Sequence, residues 1–186
     1  MTSLIQTTSY SCPIANWSAI GATNRVTLLK GASSSIIDIS HLWIADLVFQ
    51  NLRILVIDCA VRFDVFRLVN ESLRRNKNPD LLLSSVLVQR VFTPYHILES
   101  VALAEKDSCY VTVLLTPLKQ FFDGDVGYDE GLFLLKRLIQ RLKRAKSNFL
   151  VVEKSKYCHP SFDVIFPQLE SISSMVWEVD KVAKLK

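Results

Sequence analysis

Six short runs of aliphatic and β-branched residues recur along this chain, and segments of helical spacing separate most of them. That alternation is the strongest constraint on the fold, because runs of four to six apolar residues with no polar alternation suit strands buried on both faces. The first is Val26, Thr27, Leu28, Leu29 and Lys30, closed by Gly31. The others are 53–58, 86–88, 110–115, 149–152 and 175–179. Between them the spacing predicts helices over 36–50, 63–75, 94–106 and 132–146. Residues 76–80, 121–131 and 154–168 read as a polar break and two loops. Strands that alternate with helices imply an α/β fold, a doubly wound and mostly parallel sheet with helices on both faces and right-handed crossovers. Residues 1–24, rich in Ser and Thr, read as a lead-in segment that Pro13 and Trp17 could anchor, and 25–186 as a single domain.

Glycine narrows the function. The chain has only five (Gly21, Gly31, Gly124, Gly127, Gly131), and neither G-x-G-x-x-G nor G-x-x-x-x-G-K-[ST] can be written from them. Both common glycine-built phosphate cradles are therefore absent. Four cysteines (Cys12, Cys59, Cys109, Cys158) are spread with no C-x-x-C pair, which points to reduced thiols inside a cell rather than a zinc ribbon or a disulfide framework. His41, His96 and His159 stand apart from one another, so no metal is expected. The N-terminus lacks a basic region before an apolar stretch, and no apolar run is long enough for a membrane span.

The net charge of +4 permits an acidic partner or nucleic acid without demanding either. Its distribution is more informative. In the segment 132–146, Leu132, Leu135, Leu138, Ile139 and Leu142 form a core-facing stripe, while Lys136, Arg137, Arg141, Lys143, Arg144 and Lys146 cover the rest with no acid among them. That run is either a solvated face or a surface for phosphates or an acidic protein. A second group, Lys154, Lys156, Tyr157 and His159, joins cations to an aromatic that could stack on a base. Asp58, which closes a buried strand, is expected to pair with a backbone amide or a basic neighbour. Cys158 has no visible base partner and reads as a loop thiol.

The order and spacing of four stretches resemble the ATPase core of the RecA superfamily, in particular the archaeal RadA and eukaryotic recombinases and their paralogues. These are 26–31; 54–58 with 63–68; Arg90, Val91, Phe92, Thr93, Pro94, Tyr95 and His96; and 111–119 through the strand ending at Glu153. The likeness covers roughly residues 20 to 182. It implies a phosphate loop opening at Gly31, but Ile36 stands at its second glycine, Ile37 at its lysine and Asp38 at its Ser/Thr. Thr116 stands where the metal-organising aspartate is expected, and Ala60 where the water-activating glutamate is expected. The resemblance thus implies a pseudo-ATPase without cofactor: an accessory or mediator subunit in homologous recombination and DNA repair that binds a recombinase, another paralogue or DNA. It would act as part of a hetero-oligomer, in the cytoplasm or nucleoid, or in the nucleus of a eukaryote. Alternatives are a divergent NTPase and a protein-binding inhibitor like the division inhibitor SulA. In the resembled family two loops hold DNA, here 121–131 and 154–168; the first, with Asp123, Asp125, Asp129 and Glu130, is poorly suited to phosphate.

Overall fold

A computed structural model describes residues 26–32, 34–106 and 110–179. The expectations for residues 1–24, including Pro13 and Trp17, and for Cys109 lie outside them. Six strands, β1 (Val26–Gly31), β2 (Arg53–Asp58), β3 (Val86–Arg90), β4 (Tyr110–Leu115), β5 (Phe149–Lys154) and β6 (Met175–Val179), form one sheet in the order β3-β2-β4-β5-β1-β6. Every pairing is parallel. Among the described residues six α-helices accompany them: α1 (Ser35–Phe49), α2 (Val65–Arg74), α3 (Pro79–Ser84), α4 (Pro94–Ala104), α5 (Tyr128–Arg144) and α6 (Pro160–Ile172), with a 3-10 segment at Pro117–Phe122. The doubly wound α/β architecture is as the alternation implies.

The strand period of two divides the core cleanly. Leu28, Ile57, Leu114, Phe149 and Val151 point to the layer of α4, α5 and α6, where Ile97, Leu138 and Phe162 meet them. Leu29, Ile54, Val113, Leu150 and Val152 point to the layer of α1, α2 and α3, against Ile44, Leu68 and Leu82. Both faces are covered, which is why these strands show no polar alternation.

Three readings of the sequence need correction. The polar break holds the start of α3, which begins at Pro79 after Asn78, whose side chain accepts from the Asp80 amide at 2.9 Å, and runs on to Ser84. Most of the second loop is taken up by α6, which begins at Pro160, tolerates Pro167 inside it and runs on to Ile172. The first loop shrinks to 123–127, because the 3-10 segment occupies its start and α5 begins at Tyr128. In the first two cases a proline taken as a breaker serves as the first residue of a helix, where its missing N–H costs nothing and its fixed φ helps.

Candidate functional site

Parallel register brings the ends of four strands together. Gly31 lies opposite Lys154, Asp58 opposite Leu115, and Leu115 opposite Val152. Gly31, Asp58, Ala60 and Thr116 therefore share the carboxyl edge of the sheet, where open α/β sheets place their ligands. What occupies that edge is apolar packing and internal hydrogen bonds.

The turn after β1 is short: α1 begins at Ser35, so its first turn takes up the positions that a phosphate loop would use. Ile36 and Ile37 are buried. A Cβ added at Gly31 would lie 2.6 Å from Ile36 Cγ2 and 2.9 Å from the Val179 carbonyl oxygen, so the glycine serves close packing and the isoleucine fills the space above it. Asp38 stands exposed on the same first turn and is ion-paired to Arg67 of α2. An apolar plug and a carboxylate are both unfavourable surroundings for a phosphate.

Asp58 is fully buried. Its Oδ1 accepts from the amides of Ala60 (3.3 Å) and Arg62 (2.9 Å), and its Oδ2 from that of Phe63 (3.0 Å). Arg90 Nε approaches to 4.0 Å. The carboxylate thus folds its own loop, including Val61, a β-branched residue held at φ 54°. His41 packs beside this loop. Its Nδ1 donates to the Ile37 carbonyl (2.7 Å), its Nε2 accepts from the Asp64 amide (2.9 Å), and Phe63 stacks on its ring. Burial lowers its pKa below the ordinary 6.5, and a neutral imidazole is the form that satisfies both bonds.

Thr116 is also strained, at φ 48° and ψ 56°. A β-branched residue there, directly before a proline, costs of order 1–3 kcal/mol. Its amide donates to the Val152 carbonyl (2.8 Å), while its hydroxyl is buried without a partner. Next to it lies a group that the sequence reading missed: Glu153, fully buried. Its Oε2 accepts from the Leu118 amide (2.8 Å); its Oε1 accepts from the Lys154 amide (2.7 Å) and the Tyr157 hydroxyl (2.9 Å). Burial pushes its pKa up to about 7, and that of Tyr157 well above the phenolic range. The signal available in the sequence was a carboxylate directly after four consecutive apolar residues, Phe149 to Val152.

Tyr157 is correspondingly not free to receive a base. Its ring packs against Phe122 and Phe162, and its hydroxyl is used by Glu153. Lys154 and Lys156 are exposed, and Lys154 Nζ lies 5.8 Å from the centre of the Tyr157 ring. The other basic set is elsewhere. Lys136, Arg137, Lys143 and Arg144 are exposed on α5, and Arg141 is half-buried with its Nη1 3.2 Å from Glu105. Since α5 runs into the start of β5, the C-terminal half of this helix lies at the amino edge of the sheet. These two basic groups lie at opposite ends of the sheet.

Among the described residues no three of His, Cys, Asp and Glu cluster as metal ligands, Cys59 and Cys158 are free thiols, and no helix is long and apolar enough to cross a membrane. No protein-family model and no curated protein matches the chain.

Proposed function

We propose that this protein is a non-catalytic RecA-like subunit, an accessory to homologous recombination and repair that works by docking to a recombinase or another RecA-like paralogue. Two features support an assembly role over phosphoryl transfer. The first is the turn at Gly31, against which the buried Ile36 packs with no lysine following, while neither Ala60 nor Thr116 can supply a charge. Purified protein should show no micromolar, Mg²⁺-dependent binding of a fluorescent ATP analogue; saturable binding in that range would return the divergent-NTPase reading.

The observation that carries the docking role is the β3 edge. Among the described residues no strand pairs with its outer side, so a row of backbone N–H and C=O groups faces outward. Leu87 is 55% exposed and Val88 38%, with Leu81 and Leu83 of α3 and Phe92 and Tyr95 before and within α4 also exposed around them. Edges are normally blunted by lysine, proline or a bulge. Here Arg90 at the strand end is the only formal charge in β3. The edge fits an extended apolar segment of a partner ATPase adding as a further strand, the backbone giving affinity and the flanking apolar residues specificity.

The test mixes the purified chain with the RecA-like ATPases of its own cell and follows complex formation by sedimentation. Leu87→Lys places a charge on the exposed face of the edge and should abolish the complex while the melting temperature stays within a few degrees. No complex with any of these ATPases, or an undiminished one with the variant, would remove this reading.

A further inference from the structure

The end of the molecule opposite the carboxyl edge carries an open and charged depression. Arg137, Gln140, Arg141 and Arg144 of α5 and Glu105, just after α4, line a hollow of about 300 Å³. Helix α5 turns Leu134, Leu135, Leu138, Ile139 and Leu142 to the core. Its outer row therefore sets Arg137, Arg141 and Arg144 at i, i+4 and i+7 on one face. At about 1.5 Å rise per residue these three span roughly 10 Å along the helix axis. One strand of a nucleic-acid duplex carries a charge about every 3.4 Å of its axis, so the row spans about three such intervals, long enough for each arginine to meet a different phosphate.

The hollow already holds an anion of the protein's own. Glu105 Oε2 accepts from Arg141 Nη1 at 3.2 Å, and it is the single carboxylate among the lining residues. Guanidinium forks recognise carboxylate and phosphate by the same geometry, so Glu105 marks where a ligand oxygen sits. The lining also discriminates between two kinds of polyanion. All five residues are polar, and the nearby exposed ring of Phe133 lies 5.8 Å from the Arg137 guanidinium. An acidic protein segment would need an apolar anchor to bind firmly, and Phe133, the ring beside Arg137, is not among the residues that line the hollow. A phosphate backbone needs none, and with no lining residue aromatic the contact reads phosphates rather than bases.

We propose that the Arg137, Arg141 and Arg144 face of α5 is a sequence-independent site for the phosphate backbone of a nucleic-acid duplex, and that Glu105 is a resident carboxylate which an incoming phosphate displaces. The site is distinct from the β3 edge and does not rest on it. It is also distinct from the two loops at the carboxyl edge to which the family resemblance would assign DNA, one of which is acidic and the other of which has its tyrosine packed inward.

The experiment measures anisotropy of a labelled random-sequence DNA duplex with the full chain over a series of KCl concentrations. Log affinity should fall linearly with log salt. Replacing Arg137 and Arg144 with Ala should weaken binding and reduce the slope by roughly 0.9 for each arginine removed. Glu105→Gln frees Arg141 and should do the reverse, tightening binding and steepening the slope by up to about 0.9. A merely solvated face would not respond to the glutamate. The Arg→Lys pair at 137 and 144 keeps the charge and controls for folding. The proposal is overturned by absent binding at low salt, by slopes that neither alanines nor Glu105→Gln alter, or by arginine variants that lose a protein partner while holding DNA unchanged.

Discussion

Asp58→Ala should unfold the protein more readily than any other single polar change at the carboxyl edge, with a loss of roughly 3–5 kcal/mol. The side chain is fully buried, and its two oxygens accept three backbone amides within five residues. Alanine removes the acceptor and leaves those amides without a protein partner, which costs more than the bonds themselves contributed. The loop they shape also holds Val61 in the left-handed region, and the release of that strain offsets only part of the loss. For a chain of this length the melting temperature should fall by about 10 °C or more. Asp58→Asn keeps one acceptor oxygen and should lose about half as much. Equal melting temperatures for Asp58→Ala and the natural protein would show that the loop is held by something other than this residue. Because ATP binding is expected to be absent from the start, the effect is to be read in stability alone.

The strands were the most readable part of this sequence. All six apolar runs are strands because a sheet covered on both faces asks for uninterrupted apolar residues, and such runs are visible without any tertiary knowledge. Short helices were harder. Over α3 and the start of α6, Pro79 and Pro160 read as breaks, since nothing local distinguishes a proline that ends a helix from one that begins it except the cap before it. On α5 the stripe was nearly right: Leu134 joins the buried row and Leu132 is only partly covered. At the carboxyl edge, the positions of Gly31, Asp58 and Thr116 followed from their places at strand ends. The inward turn of Tyr157 did not follow, because it answers the need of Glu153 for a donor, and Leu118, Lys154 and Tyr157 come together only when β4 and β5 pair. That the Lys154 group and the α5 cations lie at opposite ends of the sheet was not legible for a related reason: charge counts along a sequence carry no information about which end of a sheet each residue occupies.

Glu153 makes stability fall with rising pH, opposite to what most carboxylates do. Its pKa stands at about 7 in the fold against an ordinary 4.5, chiefly because burial penalises the ionised form more than the Leu118, Lys154 and Tyr157 donors favour it. Between those two values the folded chain holds one more proton at this site than the unfolded chain, so stability declines across the window and levels off above it. The full contribution is roughly 3 kcal/mol. Two other groups act in the opposite sense. His41, held below its ordinary pKa by burial, favours folding as pH rises toward 6.5. Glu71, held low by Arg74 and Arg75, contributes stability above pH 4.5 that is lost in acid. The groups facing Glu153 itself are Lys154 and Tyr157, with Cys59 and Arg62 close enough to interact with the pair. Glu153→Gln keeps the shape and removes the titration, so the difference between natural protein and variant isolates this one group. Urea midpoints measured from pH 4.5 to pH 8 should show the natural protein losing roughly 3 kcal/mol relative to the variant as pH rises through 7. Parallel curves would mean that Glu153 titrates as an ordinary carboxylate, which its three donors would permit only if water reached it.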